Sequence, residues 1–291
     1  MHEPVLQEEV REALVLKPGA VAVDLTAGSG GHAVKLLEAV GRLGQVVLLD
    51  RDPEAVKRCQ ERFRGVSEVR IQQAAFHEAG RALKGLGVGG ADAVLMDLGV
   101  SREQLEDPAR GFSFLRDGPL DMRMDPNWPV SAAHMVARSR EAELADLIWK
   151  YGEERRSRRI ARVLVEARRT SPILTTLELA GLVAKAIGRK GRLHPATRVF
   201  QALRMAVNDE LGQLSTGLQQ GFSMLRPGGR LAVIAYHSLE DRTVKLQFKA
   251  WRAQGVGRWI FKKPVTPARH EVQRNPSARS AKLRVIERVT A

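Results

Sequence analysis

The chain has 291 residues, 44% hydrophobic and 27% charged, with 47 Lys and Arg against 33 Asp and Glu for a net charge of +14. This balance excludes a disordered or fibrous chain and fits one large domain or a domain carrying an insertion. No run approaches the ~20 uninterrupted apolar residues of a membrane span, the N-terminal MHEPVLQEEV lacks the apolar core of a secretion signal, and the single Cys59 excludes a disulfide framework or a cysteine-rich metal site. The expectation is a cytoplasmic protein with no membrane partner and no metal.

The first hundred residues alternate strand and helix. VAVDLTAG (21–28) predicts a short buried strand, HAVKLLEAV (32–40) a helix, and QVVLLDRD (45–52) a second buried strand ending in acids. PEAVKRCQERF (53–63) starts with Pro in the first turn of a helix. VRIQQAAF (69–76) and ADAVLMDLG (91–99) predict strands three and four. Such alternation implies parallel βαβ units and a doubly wound sheet.

The pattern then changes. SREQLEDPARGFSFLRDGPLDMRMDPNWP is rich in Gly, Pro and Asp and predicts mostly loop. AAHMVARSREAELADLIWKYG, EERRSRRIARVLVEARR, TTLELAGLVAKAIG (with Thr175 or Thr176 as N-cap) and HPATRVFQALRMAVNDELGQLSTGLQQGFSML have helical period. Residues 106–206 therefore predict an all-helical insertion into a sheet domain made of 1–105 and 207–291. RPGGRLAVIAYHS (226–238) resumes the sheet as strand five, and KLRVIERV near the C-terminus alternates like an edge strand.

In an open α/β sheet, ligands bind beyond the carboxyl ends of the strands. Those ends carry Asp24 with the turn Gly28-Ser29-Gly30-Gly31-His32, then Asp50, Phe76, Asp97 and Tyr236-His237-Ser238. Asp50 stands where a ribose hydroxyl pair is held, which suits NAD and S-adenosylmethionine (SAM) alike. Asp24 separates the two. A carboxylate four residues before the first glycine is a poor neighbour for a pyrophosphate and a good one for the SAM ammonium, directly or through water. Asp97 is expected near the transferred methyl and the substrate. The reading is a SAM-dependent methyltransferase.

Carbon-5 methylation of a pyrimidine needs a cysteine nucleophile. Cys59 is placed mid-helix, so that chemistry is disfavoured. An exocyclic amine needs an acceptor for its N–H and in-line placement on the methyl. Asp97 is the candidate acceptor; His237 is the candidate proton acceptor or orienter, with Ser238 beside it.

DLTAGSGGHA, MDLGVS (96–101), GPLDMRMD (118–125), YGEERRSRRIA (151–161), RVFQALRMAVNDEL (198–211), YHSLEDR (236–242) and NPSARSAKLRVIER (275–288) together closely resemble the bacterial 16S ribosomal RNA cytosine-N4 methyltransferases of the MraW type. The blocks run in order over nearly the whole chain. The resemblance implies a class I SAM-dependent fold with an RNA-binding helical insertion. It also implies N4-methylation of one cytidine in helix 44 of the decoding region, near the P site, with the assembled or assembling small ribosomal subunit as partner. A homodimer is compatible with it. Methylation of another RNA position, such as a ribose 2′-O, is the alternative.

Carried over, Gly30, Gly31 and His32 fit the cofactor turn, Asp50 the ribose-binding acid, Phe76 the adenine contact, and Asp97 and Gln104 further cofactor positions. The segment 102–105 reads REQL where the family has Ser-Pro-Gln-Leu, with the glutamine in place. Asp97-Leu98-Gly99-Val100 keeps only the acid of the general amino-methyltransferase signature, so a stacking aromatic must come from elsewhere: Phe112, Phe114, Trp128, Phe200 or Tyr236. A base in folded RNA has to be splayed out to reach such a pocket.

The charge supports a polyanionic partner. From Arg242 to the C-terminus, thirteen Lys and Arg face two Glu, interleaved with Trp251, Trp259 and Phe261. Arg155, Arg156, Arg158, Arg159 and Arg162 crowd one helix start, where helical spacing spreads them around the axis. Asp121, Arg123 and Asp125 either contact substrate or fix their loop, and their spacing matches no metal motif.

Overall fold

The computed structural model describes residues 4–188 and 194–289. In chain order the elements are α1 (Gln7–Leu14), β1 (Val21–Asp24), α2 (Gly31–Val40), β2 (Gln45–Asp50), α3 (Pro53–Arg62), β3 (Val69–Gln73), α4 (Ala79–Gly85), β4 (Ala91–Asp97), α5 (Arg102–Glu106), α6 (Ala132–Arg138), α7 (Glu141–Gly152), α8 (Ser157–Thr170), α9 (Thr176–Ile187), α10 (Thr197–Val207), α11 (Glu210–Ser223), β5 (Leu225–Ala235), α12 (Ser238–Ala253), β6 (Gly257–Trp259), α13 (Arg269–Arg274) and β7 (Lys282–Arg288). No helix among the described residues is long and apolar enough to cross a membrane. The chain forms two compact units, residues 1–99 with 211–291, and residues 100–210. The first junction falls directly after β4, so α5 and Gln104 belong to the helical unit.

The first unit is one seven-stranded sheet in the order β3-β2-β1-β4-β5-β7-β6, the doubly wound arrangement that the sequence predicts. Strands β1 to β5 pair in parallel; β7 runs antiparallel to both β5 and β6. The inner parallel strands β1, β2 and β4 read as near-continuous apolar runs because both faces are covered, whereas edge strand β3 is polar and largely exposed. Helices α1, α2 and α3 pack on one face through Val10, Leu14, Leu36 and Cys59. Helices α4, α11 and α12 cover the other through Leu83, Leu218, Phe222 and Phe248. Asp52 caps α3 by accepting from Glu54 N–H, with Pro53 in its first turn.

Three sequence expectations change. The KLRVIERV strand is not an edge: β7 lies between β5 and β6, and three-residue β6 is the edge. Its alternation comes from buried ion pairs rather than solvent contact. Arg284 donates to Asp241 at 2.6 Å, and Glu287 accepts from Arg230 and Arg258. The third strand stops at Gln73, and Phe76 opens a 3-10 turn. The long helical stretch 194–225 is two helices, broken where Asp209 takes φ 46°.

In the helical unit a second core forms from Leu144, Ile148, Ile160, Leu164, Leu179, Val183, Leu203 and Val207. Gly152 allows α7 to meet α10, since a Cβ there would stand 2.5 Å from the Arg198 carbonyl oxygen. Thr175 caps α9 in a capping box with Glu178. The loop 118–128 is held from within. Buried Asn208 donates to Met122 O and accepts from Met124 N–H. Arg123 forks onto both oxygens of Asp121 at 2.8 and 2.7 Å and also donates to the Pro126 and Trp128 carbonyls. Asp121 and Arg123 fix this loop.

Candidate active site

Strand order reverses between β1 and β4, which opens the crevice where α/β sheets bind ligands. Thr26 ties the two strand ends together. Its hydroxyl accepts from Asp97 N–H at 2.7 Å and donates to Asp24 Oδ1 at 3.1 Å, while its own N–H donates to the same oxygen at 2.9 Å. Asp24 is 1% exposed. Burial pushes its carboxyl up to about 6, opposed by His32 and by the Thr26 hydrogen bonds. Asp24 is expected from the sequence to pair with an ammonium directly or through water; with Oδ1 held by Thr26 and the side chain buried, its charge acts through Thr26 and through the local field.

The glycine turn follows. Gly28 and Gly30 take φ 55° and 75°, which a side chain rarely adopts. The Gly28 N–H donates to Asp50 Oδ2 at 2.9 Å, and Asp50 Oδ1 accepts from Asp52 N–H, also at 2.9 Å. Burial raises the Asp50 carboxyl to about 6, against the pull of those two bonds. The turn also needs its glycines for packing. A Cβ on Gly30 would stand 2.6 Å from the Phe63 ring, and one on Gly31 the same distance from Pro4. Composition gives no sign of these two contacts.

His32, in the first turn of α2, is 6% exposed, and neither ring nitrogen has a hydrogen-bond partner among the described residues. Its Nε2 stands 3.6 Å from Asp97 Oδ2, in ion-pair range but beyond a hydrogen bond. The other Asp97 oxygen is engaged. Oδ1 accepts from the Tyr236 hydroxyl at 2.8 Å. Burial, and then the Asp97 charge, hold that phenol well above the ordinary tyrosine range, so it stays protonated and donates. Phe76 is half-buried against the core, and Gly217 on α11 leaves room for its ring.

His237 differs from expectation. It is the N-cap of α12, with Nδ1 accepting from Glu240 N–H at 3.4 Å. Nε2 lies 3.0 Å from Glu240 Oε1, near enough for an ion pair but too poorly aligned for a hydrogen bond. Both nitrogens face Glu240, which commits His237 to the start of α12. Ser238 is exposed in the first turn of α12. Gln104 lies in the helical unit, where its Oε1 accepts from Ser101 N–H in a capping box. Of the aromatic candidates, Phe112 and Phe200 are buried in the helical core, Phe114 packs edge-on against Phe200, and Trp128 is exposed. Tyr236, in the sheet unit, hydrogen-bonds Asp97.

These residues fit SAM. The orphaned buried imidazole of His32 is a ready partner for the methionine carboxylate or ammonium. Asp50 closes β2 with its charge fixed by two N–H donors, and Phe76 offers part of a ring face for the adenine.

The MraW methylase family profile matches residues 1–289. Similar proteins include ribosomal RNA small subunit methyltransferase H of Coprothermobacter proteolyticus, 49% identical over 99% of this chain and 96% of its own length. The protein of the same name from Geobacter sulfurreducens is 47% identical over 99% of both chains. That from Thermomicrobium roseum is 45% identical over 99% of this chain and 94% of its own. With that match across nearly its whole length, the chain belongs to the MraW methylase family, and its methyl donor is S-adenosyl-L-methionine.

Proposed function

We propose that the chain methylates the exocyclic N4 of one cytidine in helix 44 of 16S rRNA, near the P site, within the small ribosomal subunit in the cytoplasm. The names of its relatives support an rRNA of the small subunit as substrate. The observation that carries the amine chemistry is the Asp97 carboxylate, with Oδ1 held by Tyr236 and Oδ2 turned toward His32. SAM supplies a methyl group made electrophilic by its sulfonium. The chain's own residues do the rest. Asp97 Oδ2 accepts an N–H of the target amine, which localises the nitrogen lone pair and then takes up the proton. Tyr236 fixes the rotamer of that carboxylate, and Thr26 fixes its backbone. Gly30, Gly31, His32, Asp50 and Phe76 hold the cofactor, and Asp24 supports the turn through Thr26.

Carbon-5 chemistry finds no support, because Cys59 is buried against the Gly28 carbonyl and burial pushes its thiol up to about 12. Ribose 2′-O-methylation is the second reading, but no lysine stands at the ends of β1, β2, β4 or β5. The test is methyl transfer from labelled SAM to small subunits and to naked 16S rRNA that lack the modification, followed by digestion to nucleosides. Label in N4-methylcytidine is expected. Label confined to 2′-O-methyl or carbon-5 products overturns the reading.

A further inference from the structure

Between α7 and α8 the helical unit carries a cleft of about 510 Å³ lined by Asp146, Trp149, Arg155, Arg156, Ser157, Arg158 and Arg159. Helical spacing predicted that these arginines would scatter around an axis. They do not, because Arg155 and Arg156 precede α8 in a turn while Arg158 and Arg159 lie in its first turn. All four reach one concavity. Arg156 is partly committed, donating to the Ile187 carbonyl at 2.7 Å. Arg162, one turn further along, falls outside the cleft and lies 3.8 Å from Glu141.

Arg155, Arg158 and Arg159 are exposed and have no hydrogen-bond or ion-pair partner among the described residues. Three unneutralised guanidinium groups beside one carboxylate, Asp146, leave the cleft net positive. Its wall includes the indole of Trp149, 56% exposed. Trp149 is more exposed than Trp128, at 38%, and than buried Trp251. Arginine forks match phosphate oxygens, and an indole face matches an unpaired base.

We propose that this cleft binds a single-stranded segment of the RNA substrate, with one unpaired base stacked on Trp149 and the flanking phosphates held by Arg155, Arg158 and Arg159. The site anchors RNA and does no chemistry. This inference rests on the reading of the substrate as rRNA, but its test reads binding and does not depend on which atom is methylated.

The experiment measures the affinity of the full chain for a fluorescein-labelled single-stranded octanucleotide RNA and for a duplex of the same length, over a range of salt. Trp149→Ala is expected to weaken single-strand binding about 5- to 100-fold with an unchanged salt slope, and Trp149→Phe to restore most of it. Arg158→Ala with Arg159→Ala is expected to lower the slope of log K against log salt by about 1.4, the release of two phosphate contacts. Duplex RNA should show the arginine effect without the tryptophan effect. All three side chains are exposed, so a thermal shift with S-adenosylhomocysteine should match wild type and show the fold intact. Wild-type affinity and slope in both variants would overturn the proposal. So would a Trp149 effect equal on duplex and single strand. If nucleoside analysis finds no N4-methylcytidine while these binding effects hold, the reaction assignment falls and the RNA site stands.

Discussion

The Tyr236 hydroxyl donates a 2.8 Å hydrogen bond to Asp97 Oδ1, joining the end of β5 to the end of β4. The phenol cannot ionise near neutrality, since burial and the adjacent carboxylate both hold its proton. It therefore orients Asp97 and leaves Oδ2 as the free acceptor.

Tyr236→Phe removes that donor and keeps the ring. The expected result is a fall in kcat of about 10- to 100-fold, with the affinity for S-adenosylhomocysteine within about 3-fold of wild type. Unfolding free energy should drop by only about 1 kcal/mol, the ordinary net worth of one hydrogen bond. A loss confined to cofactor affinity, with kcat intact, would assign Tyr236 to cofactor binding instead.

Asp24 makes stability depend on pH in an unusual direction. An acid whose folded pKa is raised holds its proton more tightly when folded. Its contribution to stability therefore falls as pH rises from the unfolded value of 3.8 to the folded value of about 6, and is flat above that. Across that window the ligand-free wild type should lose about 2–3 kcal/mol relative to Asp24→Asn, with urea unfolding at pH 4 and pH 7 as the measurement. Asp50 works in the same direction, but it is only half-buried, and solvent screening reduces its share. The carboxyls with lowered values, Asp117, Asp121, Glu143 and Asp241, act in the opposite direction but are common to wild type and Asp24→Asn, so they cancel in the difference. Parallel stability curves for wild type and variant would refute this assignment.

Two helical glycines should respond oppositely to alanine. At Gly217 a Cβ would stand 2.7 Å from the Phe76 ring and 2.8 Å from Met96 Cε, so Gly217→Ala displaces the ring expected to meet the adenine. A stability loss of about 1–3 kcal/mol is expected, together with weaker S-adenosylhomocysteine binding by calorimetry. At Gly181, in α9, a Cβ meets nothing within 4 Å. Gly181→Ala should stabilise by about 0.5–1 kcal/mol and leave cofactor affinity alone.

β1, β2 and β4 were legible because each is an apolar run ending in an aspartate, the pattern that burial on both faces imposes, whereas edge strand β3 (Val69–Gln73) was legible only by its place in the alternation. β6 was not legible, because three residues carry no period. β7 misled because Arg284 and Glu287 look like solvent-facing residues and are in fact 7% exposed within ion pairs. At the site, Asp24, Asp50 and Asp97 could be placed by their position at strand ends. The roles of Asp24 and His237 could not, since both depend on contacts made after folding. The His237-x-x-Glu240 spacing did carry a capping-box signal, though histidine is an uncommon cap. The Tyr236–Asp97 bond spans 139 residues of sequence, and no local pattern announces it.

The most direct test of the central claim, that Asp97 serves amine methylation, is to quantify N4-methylcytidine in 16S rRNA from a strain deleted for this gene and complemented with either wild type or Asp97→Asn. Binding of S-adenosylhomocysteine to both purified proteins is measured alongside. Wild type should restore the modification. Asp97→Asn should leave it at least about 100-fold slower to form in single-turnover assays while still binding the cofactor product. Full restoration by Asp97→Asn, or a wild type that restores only a ribose methyl group, would contradict the account.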